Sequence, residues 1–401
     1  METSFSASNA PGATLVALCA VGSEKPLSNE LRKLGFSVIA GSLGNARFRS
    51  DLAGVYRALM SLRTADRLLL EIATFPSDNF DTLFEGVHSA PWEDVIPVGA
   101  GIRVCKVRTN RSKLTAETSI QAMVHKAVAT RLCEKQKINR LPETGFIAEI
   151  RVYIEKDHVS ALLDLSGEPL FKRGYRIEGG IAPLRETTAA AVLLLANWRR
   201  KFPLYDPFCG SGTIAIEAAL YAWDAAPCMT RTFAVSGLAF HNELLEKKTR
   251  EELLAKVDMN HVIRVYGSDA DIRSVSIAKS NINRAYEIAL GKKPSAGIQS
   301  ELKLPFAPNI RMTPMEHAVA PDKEAGFIIT NPPYGRRLGG KTEAEAIYGG
   351  MAGLRTRFPQ WKLGVVTDES GFESFFGKKA NSCKEITNGS IPSYFFQYDK
   401  V

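Results

Sequence analysis

The chain has 401 residues, of which 45% are hydrophobic and 23% are charged. These proportions exclude a disordered or fibrous protein, and the length allows two or three domains with apolar cores. The formal net charge of +8 favours contact with a polyanion, although charge alone identifies no partner.

The first half of the chain alternates short strands with helices, a pattern typical of an α+β fold. The predicted strands are TLVALC, FSVIA, RLLLEIAT and GIRVCKVRTN, and the predicted helices cover residues 25–34, 51–62, 79–89 and 115–135. Two further strands, FIAEIRVYIE and HVSALLDL, are predicted to form a hairpin through Lys156 and Asp157. No cluster of catalytic side chains is visible in this half.

A connector rich in glycine and charge precedes the second half; it is SGEPLFKRGYRIEGGIAPLRE, residues 166–186. The second half then alternates strands and helices, a pattern typical of a parallel sheet. A helix is predicted over residues 187–198, and HNELLEKKTREELLAKVD predicts an inserted helix. Asn388-Gly389 predicts a closing hairpin near the carboxyl terminus. The predicted strands are LYDPF, RVYGSD, GFIITN and WKLGVVTDE.

The segment PLYDPFCGSGTIAIEAA, residues 203–219, predicts a strand, a tight turn and a helix that begins near Thr213. The unpaired amides at the start of that helix suit a nucleotide-like ligand. Gly210 and Gly212 are expected to let the backbone approach the ligand, and Asp206 is expected at the carboxyl edge of the sheet. A tight turn without a ligand is the alternative.

The identity of that ligand follows from what the neighbouring sequence lacks. The loop matches G-x-G-x-x-A, but no acidic ribose partner follows at the usual distance, and there is no G-K-[ST] for a phosphate loop. The next acidic strand tip is Asp269, 57 positions after Gly212. We therefore expect S-adenosylmethionine, with Asp206 near its ammonium group and Asp269 near its ribose. A cap or turn role for Asp269 is the alternative.

The segment FIITNPPYG, residues 327–335, ends a predicted strand in a rigid polar corner. The Asn331 side-chain oxygen and the Pro332 carbonyl can accept the hydrogens of an exocyclic base amine. Pro333 restricts the backbone, and Tyr334 offers a ring on which an extruded base can stack. A Pro-Pro turn that only ends the strand is the alternative.

Basic runs occur in both halves, in KVRTNRSKL, FKRGYR and NWRRK and beside the polar corner. Each run alone is as easily explained as a solvated face, but together they favour a surface that follows nucleic-acid phosphates. The predicted RNA contacts are Lys106, Arg108, Asn110, Arg111, Lys113, Arg173, Tyr175, Arg176, Arg336 and Arg337.

Cysteines, histidines and apolar runs exclude several other classes of protein. The six scattered cysteines form neither a disulfide framework nor a zinc site, and the six histidines form no ligand pair. The amino terminus has no signal-like apolar core, and the longest apolar run, residues 189–196, is too short to span a bilayer. We expect a cytoplasmic protein without a metal or a membrane partner.

The motifs DPFCGSGT and NPPYG together resemble those of class I amino-methyltransferases. The segments DLSG, RGYR and APLRET narrow the resemblance to the bacterial THUMP-domain RNA methyltransferases, in particular those that form N2-methylguanosine in 23S rRNA. The resemblance implies an α/β class I (Rossmann-like) sheet with a C-terminal hairpin, preceded by an α+β ferredoxin-like segment and a THUMP domain. The implied divisions are a flexible terminus at 1–13, the ferredoxin-like segment at 14–50, the RNA-binding THUMP domain at 51–165 and the methyltransferase at 166–401.

The resemblance also implies individual site residues. The catalytic corner is Asn331, Pro332, Pro333 and Tyr334. The cofactor residues are Pro183, Leu184, Glu186, Thr187, Asp206, Cys209, Gly210, Ser211, Gly212, Thr213 and Asp269. Where the family usually has an aspartate for the adenine amine, this chain has Met315, so the neighbouring Glu316 is the candidate.

The expected function is transfer of a methyl group to the N2 of a guanine in 23S rRNA. A tRNA guanine is an alternative substrate. An RNA-binding ribosome-assembly factor without turnover is an alternative of another class, although the intact motifs favour catalysis. A DNA adenine methylase would explain NPPY but would leave the first 165 residues without a purpose.

Overall fold

The computed structural model describes residues 12–176, 184–260, 262–296, 307–333 and 341–400, with the side chains of 341–343 excepted. Within these residues the chain forms two seven-stranded sheets, one in each half. Pro183, Tyr334, Arg336 and Arg337 lie outside the described residues.

The first sheet comes from the amino-terminal half. Its strands are β1 (Ala13–Cys19), β2 (Ser37–Ser42), β3 (Asn45–Ser50), β4 (Ala65–Pro76), β5 (Gly101–Asn110), β6 (Ile147–Glu155) and β7 (His158–Asp164). Their order is β2-β3-β1-β4-β7-β6-β5. β5 and β6 pair in parallel and the other pairs are antiparallel. The sheet continues across residue 50, so the two predicted domains share it and their division remains a proposal.

Four helices accompany this sheet and bury apolar side chains in one core with it. The helices are α1 (Glu24–Lys33), α2 (Leu52–Ser61), α3 (Phe80–His88) and α4 (Glu117–Gln136). Asp51 and Asn79 cap α2 and α3 through their side chains, as Asp and Asn do at helix starts. The predicted hairpin turn is confirmed, since Lys156 and Asp157 have φ angles of 51° and 58°. β3 was not predicted, because arginines interrupt its short apolar alternation.

The second sheet has the strand order of the expected class I fold. Its strands are β8 (Leu204–Asp206), β9 (Val265–Asp269), β10 (Asn309–Met312), β11 (Phe327–Thr330), β12 (Lys362–Thr367), β13 (Ser382–Asn388) and β14 (Ile391–Tyr398). Their order is β10-β9-β8-β11-β12-β14-β13. The first five strands are parallel, and β14 runs antiparallel between β12 and β13. The predicted parallel sheet with a C-terminal hairpin is confirmed.

The helices of the second half surround the sheet. They are α5 (Glu186–Leu195), α6 (Thr213–Ala222), α7 (Glu243–Leu254), α8 (Ile272–Ala289), α9 (Lys341–Gly350), α10 (Leu354–Arg357) and α11 (Phe372–Phe376). Nearly every residue of α6 is buried. A helix that is apolar all round belongs in a core, and α6 accordingly packs on α5, α8 and the strands β8 and β9.

The two halves pack as neighbours with a shared core. One continuous cluster of buried apolar residues extends from Leu15 in β1 to Phe395 in β14. Val21 and Thr387 exchange hydrogen bonds across the halves, each 3.1 Å long. Among the residues that the structure describes, every helix is too short or too polar to cross a membrane.

Candidate active site

Three parallel strands bring polar side chains to the same edge of the second sheet. β8 ends at Asp206, β9 ends at Asp269, and β11 leads directly into Asn331. The Thr330 hydroxyl donates a 2.6 Å hydrogen bond to Asp206 Oδ1, which joins the tips of β8 and β11. The predicted convergence is confirmed, because the carboxyl ends of parallel strands lie at one edge.

Asp206 is buried, with 2% of its surface exposed. Its Oδ1 accepts hydrogen bonds from Thr330 and from the Phe208 amide, at 2.6 and 3.1 Å. Burial raises the pKa of the Asp206 carboxyl to about 7, and the Asp269 charge adds to the rise, while the two hydrogen bonds oppose it. Its Oδ2 accepts no hydrogen bond from the described residues, so Asp206 can still accept from a cationic ligand group.

The glycine loop, residues 207–212 between β8 and α6, is held in place by hydrogen bonds from its backbone amides to β9. The Gly210 amide donates to Asp269 Oδ2 at 2.9 Å, and the Cys209 amide donates to the Ser268 carbonyl at 2.9 Å. Gly210 has φ +51° with open space where a Cβ would lie, so no clash with the protein excludes a larger residue there. At Gly212, with φ +83°, a Cβ would lie 3.1 Å from Ala278 Cβ of α8.

Gly212 also has a structural role. The glycine permits a left-handed turn and close packing of α6 on α8, where a Cβ would press on Ala278. Approach of the backbone to a ligand at Gly210 and Gly212 remains a prediction.

Asp269 joins the glycine loop to the start of α8 through its two carboxylate oxygens. Oδ2 accepts from Gly210 and Oδ1 accepts from the Asp271 amide at 3.0 Å. The N-cap of α8 is Asp271, whose carboxylate accepts from the amides of Arg273 and Ser274. Asp269 is therefore not the cap of this helix, and its contact with a ribose remains a prediction.

The other loop residues are held from α8 and from the connector. The Ser211 carbonyl accepts from Asn281 Nδ2 at 2.9 Å, and the Thr213 hydroxyl accepts from Arg176 Nη2 at 2.6 Å. Cys209 is buried, and burial raises the pKa of its thiol well above the ordinary range. The thiol therefore stays neutral and packs as a small apolar side chain.

The side-chain oxygen of Asn331 is a buried acceptor to which no described residue donates a hydrogen bond. The residue is 8% exposed, and its Oδ1 is buried without a hydrogen-bond donor among the described residues. Leaving a buried acceptor unpaired costs about 1–3 kcal/mol, so such atoms in folded proteins call for a partner. Pro332 and Pro333 follow it and supply no backbone N–H that would compete.

The segment at the start of α5 only partly matches its predicted role. Leu184 and Glu186 are buried, and Arg176 Nε lies 3.3 Å from Glu186 Oε1. Burial raises the pKa of Glu186, and the Arg176 charge opposes the rise. The Thr187 hydroxyl donates to Asp66 Oδ1 at 2.6 Å, so this hydroxyl joins the two halves and is not directed to a cofactor.

The residues expected near the adenine lie on a short 3-10 helix after β10. Met315 is buried in the second apolar cluster, and its carbonyl accepts from Arg357 Nη2 at 3.1 Å. Glu316 is exposed. Met315 is thus a core residue, and an adenine contact through Glu316 remains a prediction.

Two of the three predicted RNA contacts in the connector, Arg173 and Tyr175, are wrong, and contact through the part-buried Arg176 remains a prediction. Arg173 and Tyr175 are 1% and 0% exposed, and Arg173 Nε lies 3.5 Å from the buried Glu217 carboxylate. The Tyr175 hydroxyl donates to the same carboxylate at 3.1 Å. Arg176 points to Thr213 and to the Leu184 carbonyl. The RGYR run has the composition of a surface loop, and only the burial of Glu217 on α6 shows otherwise.

The predicted RNA contacts at the junction of β5 and α4 have mixed environments. Arg108 and Arg111 are exposed and Lys106 is half-buried. Lys113 is engaged by Asp78 Oδ2 at 2.8 Å, and Asn110 Nδ2 donates to Glu155 Oε2 at 2.9 Å. RNA binding at this junction therefore remains a prediction, with the strongest support for the two exposed arginines.

Sequence reasoning missed three residues of the site. Thr330 orients Asp206, Asn281 holds the glycine loop, and Arg284 Nη2 donates to Asn281 Oδ1 at 2.6 Å. The signal for the last two was weak, because α8 is polar along much of its length and a buried polar face is hard to distinguish from a solvated one. The described residues contain no group of three metal-ligating side chains.

Two family models match the chain. One is described as the RMKL-like methyltransferase domain and matches residues 173–395, while the other is described as the RlmL ferredoxin-like domain and matches residues 14–69. The first covers the whole second sheet except its last residues. The second ends inside β4, beyond the predicted boundary at residue 50.

Named relatives match over almost the whole chain. YpsC of Bacillus subtilis (strain 168), whose name classes it among RNA methyltransferases, is 35% identical over 387 residues, covering 96% of this chain and 95% of YpsC. The ribosomal RNA large subunit methyltransferase K/L of Syntrophotalea carbinolica is 30% identical over 94% of this chain. This chain spans about half of the K/L protein, 52% of its length.

A solved structure agrees with the fold of both halves. The crystal structure of SMU.472 in complex with SAH has a TM-score of 0.84 and 32% sequence identity, over 97% of this chain and 98% of that one. A match of this extent includes both sheets and the edge at which Asp206, Asp269 and Asn331 converge.

Proposed function

Because the chain belongs to the RMKL-like methyltransferase family, we propose that it transfers a methyl group from S-adenosylmethionine to the exocyclic N2 of a guanine in 23S rRNA. The family accounts for the cofactor and for methyl transfer to RNA. The choice of 23S rRNA is supported by the K/L relatives, which are named for the large ribosomal subunit. The choice of guanine N2 is the finer step: the polar corner fits any exocyclic base amine, and the resemblance carried by DLSG, RGYR and APLRET favours guanine.

The observation that carries the proposal is the unpaired Oδ1 of Asn331. An exocyclic base amine has two N–H hydrogens and a lone pair delocalised into the ring. An acceptor on each hydrogen holds the amine in place and weakens that delocalisation. Asn331 Oδ1 and the Pro332 carbonyl are the two acceptors at this corner.

The described residues fit the proposed cofactor. S-adenosylmethionine supplies an electrophilic methyl group on a sulfonium. The Asp206 carboxylate is suited to its ammonium group, the loop amides from Gly210 onward to its polar atoms, and Asp269 to its ribose hydroxyls. Burial of Asp206 excludes water from that contact and strengthens it.

In the proposed reaction, Asn331 and Pro332 orient the amine so that its nitrogen lies in line with the methyl group. The nitrogen gains the methyl as the sulfur–methyl bond breaks, and the nitrogen then loses one proton to solvent. No general base is needed, because methylation makes the nitrogen cationic and acidic. Tyr334, outside the described residues, is proposed to stack on the extruded base.

The proposed division of labour follows the two sheets. Residues 14–50 form the proposed ferredoxin-like segment, 51–165 the RNA-binding THUMP domain and 166–401 the methyltransferase. The ferredoxin-like match to residue 69 supports the first assignment and favours a later boundary.

The test is methylation of 23S rRNA that lacks this modification. Protein, labelled S-adenosylmethionine and the RNA are incubated, and the RNA is digested to nucleosides. Label is expected in N2-methylguanosine. Label confined to N6-methyladenosine, to tRNA or to DNA would contradict the proposal.

The same assay tests the role of Asn331. Asn331→Ala should lower kcat about 10²–10³-fold, the usual cost of removing one group that stabilises the transition state, with an unchanged cofactor Kd. Asn309→Ala, at an exposed position, is the matched control and should keep full activity. Calorimetry that shows lost cofactor affinity in Asn331→Ala would count against the role proposed for this side chain.

A further inference from the structure

A cleft of about 1270 Å³ lies between α1 of the first half and the segment that joins α5 to β8. Trp198 and Tyr221 line it from the methyltransferase half, and Ser61 and Arg63 line it from the first half. The cleft is at the end of α5 opposite to Glu186. None of the described residues of the polar corner lines the cleft, so the two are separate surfaces.

The walls of this cleft are basic. Seven lysines and arginines line it, against two acidic residues. Both acids are already engaged: Asp224 Oδ2 accepts from Arg200 at 2.6 Å, and Glu30 Oε1 accepts from the Arg63 amide at 2.7 Å. The remaining cations have no ion pair among the described residues; they are Lys25, Arg32, Lys33, Arg199 and Lys256.

Arg63 stands in the wall of the same cleft. Its Nη2 donates to the Ala225 carbonyl at 2.7 Å, and its guanidinium lies 5.6 Å from the centre of the Tyr221 ring. These contacts fix the side chain, which adds a further positive charge to the lining of the cleft.

The distribution of the cations favours a polymer over a small anion. Lys25 and Lys33 stand on α1, Arg199 follows α5, and Lys256 follows α7, so the charges come from three elements around a concave surface. A single phosphate satisfies one or two such groups. A nucleic-acid strand presents a phosphate at every nucleotide and can neutralise several of them at once, with release of its counterions.

We propose that this cleft binds the phosphate backbone of the RNA substrate, away from the nucleotide that enters the polar corner. The inference rests on the proposed function, since it takes RNA as the substrate. RNA held both in the cleft and at the polar corner is fixed across the methyltransferase half, and contacts remote from the reacting base then help to position that base.

The experiment compares two double variants with equal charge change. Lys33→Glu with Lys256→Glu removes two unpaired cations of the cleft. Lys247→Glu with Lys248→Glu removes two exposed cations of α7 that do not line the cleft. Binding of an in vitro 23S rRNA transcript is titrated over a range of salt concentrations, and cofactor affinity is measured by calorimetry.

The cleft variant should raise the Kd for the transcript roughly tenfold at moderate salt and lower the slope of log Kd against log salt by about 1 for each lysine. Its cofactor Kd should match the wild type, and the α7 variant should behave as wild type. The pair Lys33→Gln with Lys256→Gln should show the same direction with a smaller change. If charge reversal impairs folding, this neutral pair is judged by the same criterion.

Wild-type protein should bind and methylate the transcript. If it does so and the cleft variant keeps the wild-type Kd and salt slope, the proposed RNA binding at the cleft is overturned and the proposed function stands. Equal losses in the cleft and α7 variants also overturn RNA binding at the cleft, because they would show only the effect of net charge. Wild-type protein that does not bind the transcript overturns both proposals.

Discussion

Asp206 and Asn331 end two strands that pair in the second sheet, and both are polar side chains withdrawn from solvent. Asp206 keeps its charge only partly near neutral pH, since burial raises its pKa to about 7. Asn331 keeps an acceptor without a donor. At the scale of residues, the site is therefore a pair of incompletely satisfied acceptors, the state expected of groups that await a cationic and an amine ligand.

Cofactor affinity should depend on pH through Asp206. The ammonium group of the cofactor favours the ionised carboxylate, so the affinity should rise roughly eightfold from pH 6.0 to 7.5, as a group with a pKa of about 7 ionises. Calorimetry at a series of pH values measures this. Asp206→Asn should bind more weakly at pH 7.5 and without that pH dependence; an equally steep rise in this variant would contradict the assignment.

The effect of Asp206 on stability should have the opposite sign. Its folded-state pKa of about 7 lies above the ordinary value of 3.8, so the folded protein binds this proton more tightly than the unfolded chain. The stability that it contributes is complete below about pH 4 and is lost as the pH rises to about 7. The difference in unfolding free energy between wild type and Asp206→Asn should follow this course.

At the scale of elements, α8 holds the glycine loop in position. Arg284 Nε donates to the Tyr175 carbonyl at 2.7 Å, and its Nη2 donates to Asn281 Oδ1 at 2.6 Å. Asn281 in turn donates to the Ser211 carbonyl at 2.9 Å. A buried chain of hydrogen bonds thus runs from the connector through α8 to the loop, and it fixes the backbone at which the cofactor is proposed to bind.

Asn281→Ala should loosen this loop. The change leaves the Ser211 carbonyl and one Arg284 N–H without their partner, at a cost of about 1–3 kcal/mol in unfolding free energy. The cofactor Kd should rise while the kcat of the loaded enzyme changes less. Arg273→Ala, at an exposed position in the first turn of the same helix, is the control and should alter neither. Full cofactor affinity in Asn281→Ala would show that the loop holds its shape without α8.

At the scale of the whole molecule, the connector joins the two halves from the inside. Arg173 is fully buried against Glu217 of α6, and its Nη2 donates to the Arg63 carbonyl of the first half. Thr187 of α5 donates to Asp66 at the start of β4. Since the apolar core is also continuous, the halves should unfold together.

Arg173→Ala should destabilise the protein strongly. Removal of one partner leaves the Glu217 charge buried and uncompensated, which costs about 3–5 kcal/mol. The neighbouring Lys172 pairs with Glu168 on the surface, so Lys172→Ala should change stability by about 0.5 kcal/mol or less. Denaturant unfolding should show one transition for both halves. Equal stabilities of the two variants would contradict the structural role of Arg173, and two separate transitions would contradict the coupling of the halves.

Most of the strands and helices could be predicted from the sequence, β3 excepted, and so could the polar residues at the strand ends. Strand alternation, helix caps and Asn388-Gly389 are local patterns, and each reports the conformation of its own segment. DPFCGSGT and NPPYG also located Asp206 and Asn331 correctly, because a parallel sheet brings the carboxyl ends of its strands to one edge whatever the packing around them.

The tertiary structure alone decided which charged and polar groups face solvent. Arg173 and Tyr175 have the local sequence of a surface loop, and their burial depends on Glu217, more than 40 positions away in the chain. Contacts between distant segments also produce the close packing of Gly212 on Ala278, the unpaired oxygen of Asn331 and the basic cleft. Local patterns encode the backbone, but the environment of a polar side chain is the sum of all its neighbours, and those neighbours are assembled only by folding.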